Sequence, residues 1–251
     1  MLLLAMFVCL GCEWRMRSEV IPSDEDSFVL RYDRLESFFL TSGDFSALQQ
    51  MQTRYPMQTR RLIEDVLQLG KVDDAHINTQ FYVFFQDSTL QGLIAEVARQ
   101  YEDTDDLDEQ LHSAFERLSE MVPRAGLPVV YTQIGSLDQS IVVGDSMVGI
   151  SLDKYLGSDY PLYLRYGYTD RQRSSMTREF IVPDCLGFYL LSLYPVPADS
   201  LRTSHMGRVQ YVVNTVLQRR FFDNEFVKSA EAFMEENGNL SFEQLLSGKD
   251  K

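Results

Sequence analysis

The sequence predicts an α+β fold, mainly α-helical with a small three-stranded antiparallel sheet, on three observations. Apolar residues recur at helical spacing through most of the chain. Runs of β-branched residues broken by a Gly-Asp-Ser turn are confined to one stretch near its middle. Finally, 251 residues of which 45% are hydrophobic and 24% charged can fill one core. A formal net charge of −14 sets the surface against polyanions, because counterion-release binding needs clustered Lys and Arg. Nucleic acid is therefore not expected as a partner.

The first twelve residues, MLLLAMFVCLGC, form an uncharged apolar run. It is too short to span a bilayer, which takes about 20 residues, and has the length of a signal-peptide core. Gly11 directly before Cys12, with Leu10 and Val8 upstream, resembles the lipobox of bacterial lipoproteins, in which the cysteine is acylated and becomes the new N-terminus. Residues 1–11 are thus expected to be a signal peptide, Cys12 the lipidation site, and residues 12–27 a polar tether from a membrane. The alternative is a hydrophobic first helix holding ordinary cysteines. No Lys or Arg precedes the run, which predicts a start upstream of Met1. Loss of Cys9 and lipidation of Cys12 would leave only Cys185, expected to be a buried thiol with no basic neighbour in sequence to activate it.

Residues 28–251 are expected to form a single helical domain. In FVLRYDRLESFFL, Phe28, Tyr32, Leu35, Phe38 and Phe39 share a helical face, although Phe28 to Tyr32 could also open as a short strand. Ser42 and Asp44 are cap candidates for a second helix that stops at Pro56. Further helices are expected at about 59–69 and 88–101, and FYVFF at 81–85 fits either a strand or a helix. The stretch from Tyr101 to Val122 is the clearest helix. Leu107, Leu111, Phe115, Leu118 and Val122 fall on one side, and Asp103, Asp105, Asp106 and Asp108 cluster at the N-terminus, where the helix dipole favours negative charge. Those acids do not make an EF-hand, because Asp108 stands where the turn needs Gly and Ala114 where the Glu belongs.

Strands are expected at 129–134, 141–143 and 147–152, the last two joined by Gly144-Asp145-Ser146. Beyond them, TREFIVPDCLGFYLLSLYP predicts a long apolar helix kinked or restarted at Pro183. A helix at about 198–221 and an amphipathic pair between Asn224 and Ser247 complete the chain.

Few residues offer catalytic chemistry. The three histidines, His76, His112 and His205, are never four residues apart, so the H-E-x-x-H pair of zinc peptidases is missing, and each is expected at the surface. No nucleophile elbow, phosphate loop or dinucleotide fingerprint is present, and no cofactor is implied. The density of Tyr and Arg after the hairpin stands out, and Asp153, Tyr155, Tyr160, Tyr163, Arg165 and Arg178 are the candidate partner-binding residues. Lys154, Tyr166, Tyr168, Arg171 and Arg173 accompany them. Tyrosine and arginine give large contact area and directional hydrogen bonds at recognition surfaces. The competing reading is a loop packed over the core with its rings buried. Asp153, at a strand end, is expected to cap the turn toward Tyr155 and Leu156, so that Asp153→Asn would be mild in stability.

LDKYLGSDYPLY after a hairpin, with FERL, VP and LPVVYT upstream, resembles the GldB family of gliding-motility lipoproteins. RYDRLESFF, LQQMQTRYP and REFIVPD fit as well, so the likeness covers about residues 28–222. The resemblance implies a lipid-anchored envelope protein of Bacteroidota with other envelope proteins as partners, on the periplasmic side of the inner or outer membrane. It also implies a zincin-like fold. The helix that carries the metal motif in zincins here reads EFIVPDCLGFYL, with Asp184 and Cys185 but no histidine. A non-enzymatic binding or assembly role in a motility or secretion machinery is the expected function. A divergent metal-dependent hydrolase, using His205 with acids around Asp184, is the alternative. A glycan-binding lipoprotein is a third reading, supported by the tyrosine-rich loop.

Overall fold

A computed structural model of the protein describes residues 27–248. The expected signal peptide, Cys12 and all of the tether but its last residue lie outside the described residues. FVLRY turns out to use both options, a two-residue strand β1 (Val29–Leu30) running straight into helix α1 (Tyr32–Ser42). Helix α1 buries Tyr32, Leu35 and Phe39 and stops at Gly43, whose φ of 70° lets its N–H close on the Phe39 carbonyl. Helix α2 (Phe45–Arg54) is capped by Asp44, which accepts the Ser46 N–H at 2.7 Å. Pro56 opens α3 (Pro56–Arg61), which widens into a π-helical turn over Leu62–Val66. There the Leu67 N–H reaches back to the Leu62 carbonyl and the Leu69 N–H to that of Ile63.

FYVFF is helical, in α4 (Ile77–Phe84). Ile77, Phe81 and Phe85 are all buried at a spacing of four, which alternation along a strand would not allow with polar Thr79 exposed on the same face. Helix α5 (Ser88–Gln100) follows, capped by Asp87, and then α6 (Asp105–Met121). The apolar face of α6 is buried as expected, and Asp108 accepts the Val29 N–H at 2.7 Å, tying the helix start to β1.

The sheet corrects the expected three-stranded antiparallel arrangement. Among the described residues it has four strands, β1, β2 (Val129–Gln133), β3 (Ile141–Gly144) and β4 (Met147–Ser151), in the order β1-β2-β4-β3. β1 and β4 each run parallel to β2, with Val29 beside Val130 and Val148 beside Val130 on the other side, and only β3 and β4 are antiparallel. The physical reason lies in burial. All five residues of β4 are buried, so it takes an interior position, while β3, half-exposed at Val143 and Gly144, takes the edge. The hairpin between them turns on Asp145 and Ser146, with φ of 48° and 59°, the pattern of a type I′ turn.

After the sheet come α7 (Pro161–Arg165), α8 (Asp170–Arg173), α9 (Ile181–Leu193), α10 (Arg202–Leu217), α11 (Glu225–Glu236) and α12 (Phe242–Ser247). Pro183 sits in the first turn of α9, so the long apolar stretch restarts there rather than kinking. Helix α9 packs on β3 and β4 and against α6 and α10, which places the start of α9 beside the segment that leaves β4. Among the described residues no helix is long and apolar enough to cross a membrane.

Candidate functional site

Strand β4 runs into a short 3₁₀ turn, Leu152–Lys154, which is wholly buried. Asp153 does not cap its own turn. One carboxylate oxygen accepts the Gly135 N–H at 2.7 Å and the other the Leu137 N–H at 2.5 Å, and the Leu156 N–H is taken instead by the Tyr163 hydroxyl at 2.9 Å. These bonds hold the loop between β2 and β3, where Ser136 and Leu137 have φ of 50° and 66°. A left-handed conformation costs a non-glycine residue about 1–2 kcal/mol, a cost that hydrogen bonds to a carboxylate can offset. Glu36 of α1 works beside Asp153, accepting the Ile134 N–H at 2.8 Å. Burial pushes both carboxyl groups above their ordinary range, against the opposing pull of these backbone N–H groups.

The next residues line the same interior. The Lys154 ammonium donates to the Leu137 carbonyl at 3.2 Å and the Tyr168 hydroxyl at 3.0 Å, and lies 4.5 Å from the Tyr168 ring centre. Tyr168 in turn donates to the Leu137 carbonyl at 2.8 Å. Tyr163 donates to the Asp153 carbonyl at 2.6 Å, and Tyr101, directly after α5, to the Tyr155 carbonyl at 2.6 Å.

The Tyr155 hydroxyl points the other way, to Asp184 in the first turn of α9, at 2.8 Å. The pair borders a cleft of about 180 Å³ lined also by Ser140, Lys154, Tyr168 and Gln172. Burial pushes the Asp184 carboxyl up to about 7, with the Tyr155 hydrogen bond opposing. A half-buried carboxyl poised there, beside a phenol and an ammonium, can take up or release a proton at neutral pH.

The expected surface histidines divide. His76 is exposed just before α4, and His112 is exposed too, stacking on Phe28 with ring centres 4.8 Å apart and lying 3.3 Å from a Glu116 oxygen. His205 is buried, its Nε2 at 2.8 Å from the Tyr194 carbonyl on the sequence-adjacent loop. Among the described residues no three His, Cys, Asp or Glu side chains gather as a set of metal ligands. Cys185 is fully buried, and burial raises its thiol well above the ordinary range.

The six candidate partner-binding residues separate by environment. Asp153, Tyr155 and Tyr163 are interior. Tyr160 is half-buried with its ring centre 5.1 Å from that of Tyr163. Arg178 is a clamp: it pairs with Asp106, donates to the Asp103 carbonyl at 3.1 Å and the Gln100 carbonyl at 3.4 Å, and lies 5.0 Å from the Tyr101 ring centre. Arg165 alone is exposed, with no polar partner among the described residues, and it is flanked by Leu164 and Tyr166, 54% and 59% exposed. Sequence reasoning passed over Leu164. The signal available was Pro161, which starts a helical turn and so sends residues 162 and 163 inward and 164 to 166 outward. Because Arg178 joins the end of α5 to the start of α6, Arg178→Ala is expected to lower stability by about 1–2 kcal/mol, read by urea denaturation. Arg178→Lys, which keeps the charge but not the fork, should recover less than half of that loss.

Residues 16–220 match the family model described as "Gliding motility protein GldB", whose short name marks a lipoprotein. No curated protein and no solved structure matches the chain.

Proposed function

The chain belongs to the GldB family of gliding motility proteins, and from that premise we propose that it is a non-enzymatic, lipid-anchored protein of the Bacteroidota cell envelope. In this reading Cys12 carries the lipid, the body stands on the periplasmic side, and its task is to bind another envelope protein of a motility or secretion machinery. One observation carries the binding role: Leu164, Arg165 and Tyr166 project from α7, while the residues beneath them, Tyr163, Tyr155 and Asp153, are locked into the core. An exposed arginine and tyrosine on a rigid base are residue types that dominate binding hot spots, with little ordering cost left at docking, and Leu164 adds apolar area beside them. A zincin-like ancestry belongs to the same proposal, supported by the edge hairpin β3–β4 with α9 packed on it. The hydrolase alternative has less support, since His205 is engaged by Tyr194 and Asp184 by Tyr155.

The test has two parts. Arg165→Ala should weaken capture of the partner from solubilised membranes by about 30-fold, the effect of losing an anchor worth about 2 kcal/mol, with an unchanged melting temperature. Undiminished capture would remove the α7 surface from the proposal. Cys12→Ala should free the protein from the membrane fraction and abolish the lipid's mass increment, because multiple acyl chains are what make anchoring stable.

A further inference from the structure

Tyr168 also lines a second and larger cleft, of about 520 Å³, between the π-helical turn after α3 and the loop that joins β2 to β3. We propose that this cleft binds an uncharged oligosaccharide. Its volume is that of a small-ligand pocket, about 300–1,000 Å³ in general. Three polar side chains line it, Gln68, Ser136 and Asp138, and none has a hydrogen-bond partner among the described residues. An amide, a hydroxyl and a carboxylate with unused donors and acceptors suit the vicinal hydroxyls of a sugar ring. Val66 and Leu137 give an apolar floor, and the exposed Tyr166 ring gives a flat wall against which the C–H face of a pyranose can stack.

Charge narrows the ligand class. No Lys or Arg lines the cleft, and Asp138 together with the net charge of −14 would repel an anionic glycan or a phosphate. The cleft is also pre-shaped. Six non-glycine residues among those described have positive φ, and three of them, Gln68, Ser136 and Leu137, line this one cleft. Strained backbone of this kind persists where the surroundings fix it. Here the Asp153 carboxylate holds the N–H groups of Gly135 and Leu137, while Lys154 and Tyr168 hold the Leu137 carbonyl. A ligand entering would therefore find its hydrogen-bonding groups already placed.

The assignment goes beyond the protein-binding reading; the two surfaces meet at Tyr166, but Leu164 and Arg165 lie outside the lining, so Arg165→Ala tells them apart. It is tested by calorimetric titration of the full chain, in a detergent without a sugar headgroup, against neutral tetrasaccharides (chito-, cello-, xylo- and malto-) and against tetragalacturonate as an anionic control. At least one neutral tetrasaccharide should bind saturably, with Tyr166→Ala and Asp138→Ala each weakening it about tenfold or more. Tetragalacturonate should not bind, and Arg165→Ala should leave the affinity unchanged. Both cleft positions are exposed, so their melting temperatures should stay at the wild-type value. The proposal is overturned if no neutral tetrasaccharide binds at millimolar concentration, if tetragalacturonate binds as well, or if both cleft variants bind normally.

Discussion

Asp153→Ala is expected to destabilise the protein by about 4 kcal/mol, because two buried backbone N–H groups lose the acceptor that the carboxylate gives them and each such orphan costs about 1–3 kcal/mol. The acceptor cannot be replaced locally: Gly135 and Leu137 lie 18 and 16 residues away in sequence, and both bonds are buried. Water entering the gap would have to reach a carboxylate site with no exposed surface. Asp153→Asn should cost about half of that, about 2 kcal/mol, since one amide N–H₂ must then face a backbone N–H donor. That reverses the expectation from sequence that the Asn change is mild, which rested on a local turn cap that Asp153 does not make. Urea denaturation at neutral pH measures both, and an Asn variant within about 0.5 kcal/mol of wild type, the scatter of an ordinary surface change, would show that the loop does not depend on the carboxylate. The same loss should free Ser136 and Leu137 from their left-handed conformation, so both variants should also lose the shape of the larger cleft.

What the sequence disclosed and what it hid follow one physical division. Helix α6 was legible because its signals are local: a 3.6-residue apolar period and acids in the first turn. The β3–β4 hairpin was legible for the same reason, through a turn whose residues tolerate positive φ. The place of β4 between β2 and β3 was not, because it depends on which strand buries most surface against elements distant in the chain. A two-residue β1 is also too short to show a period. In the candidate site, composition disclosed the tyrosine and arginine density but not its direction. Tyr155 and Tyr163 face inward only because Asp184, 29 residues beyond Tyr155, and the chain's own 3₁₀ turn receive their hydroxyls. The cleft of Gln68 and Ser136 left no trace in sequence at all. Positive φ is usually marked by glycine, and at both positions the tertiary structure imposes it on another residue.

Asp184→Asn is expected to stabilise the protein at alkaline pH and to change nothing in acid. Burial raises this carboxyl from the ordinary aspartate value of about 4 up to about 7, so the folded state holds its proton more tightly than the unfolded chain does. The sign follows from linkage. A raised folded value contributes stability that is fully present below about pH 4 and lost progressively as pH rises through about 7. Asparagine resembles the protonated acid in shape and keeps an oxygen to accept the Tyr155 hydroxyl, but it never ionises. The variant and the wild type should therefore have equal stability at about pH 4 and diverge above it, the gap levelling off beyond about pH 7. A rise from about 4 to about 7 corresponds to about 4 kcal/mol, and partial exposure of Asp184 to solvent reduces the expected gap to about 2 kcal/mol. Chemical denaturation of both proteins at intervals from acid to alkaline pH reads it directly. A gap that stays constant across the range would mean that Asp184 titrates alike in the folded and unfolded chain. A gap that opens as expected would leave the cleft between the turn after β4 and the start of α9 with a carboxyl that changes charge near neutral pH, beside the Lys154 ammonium and the Tyr155 hydroxyl that would sense the change.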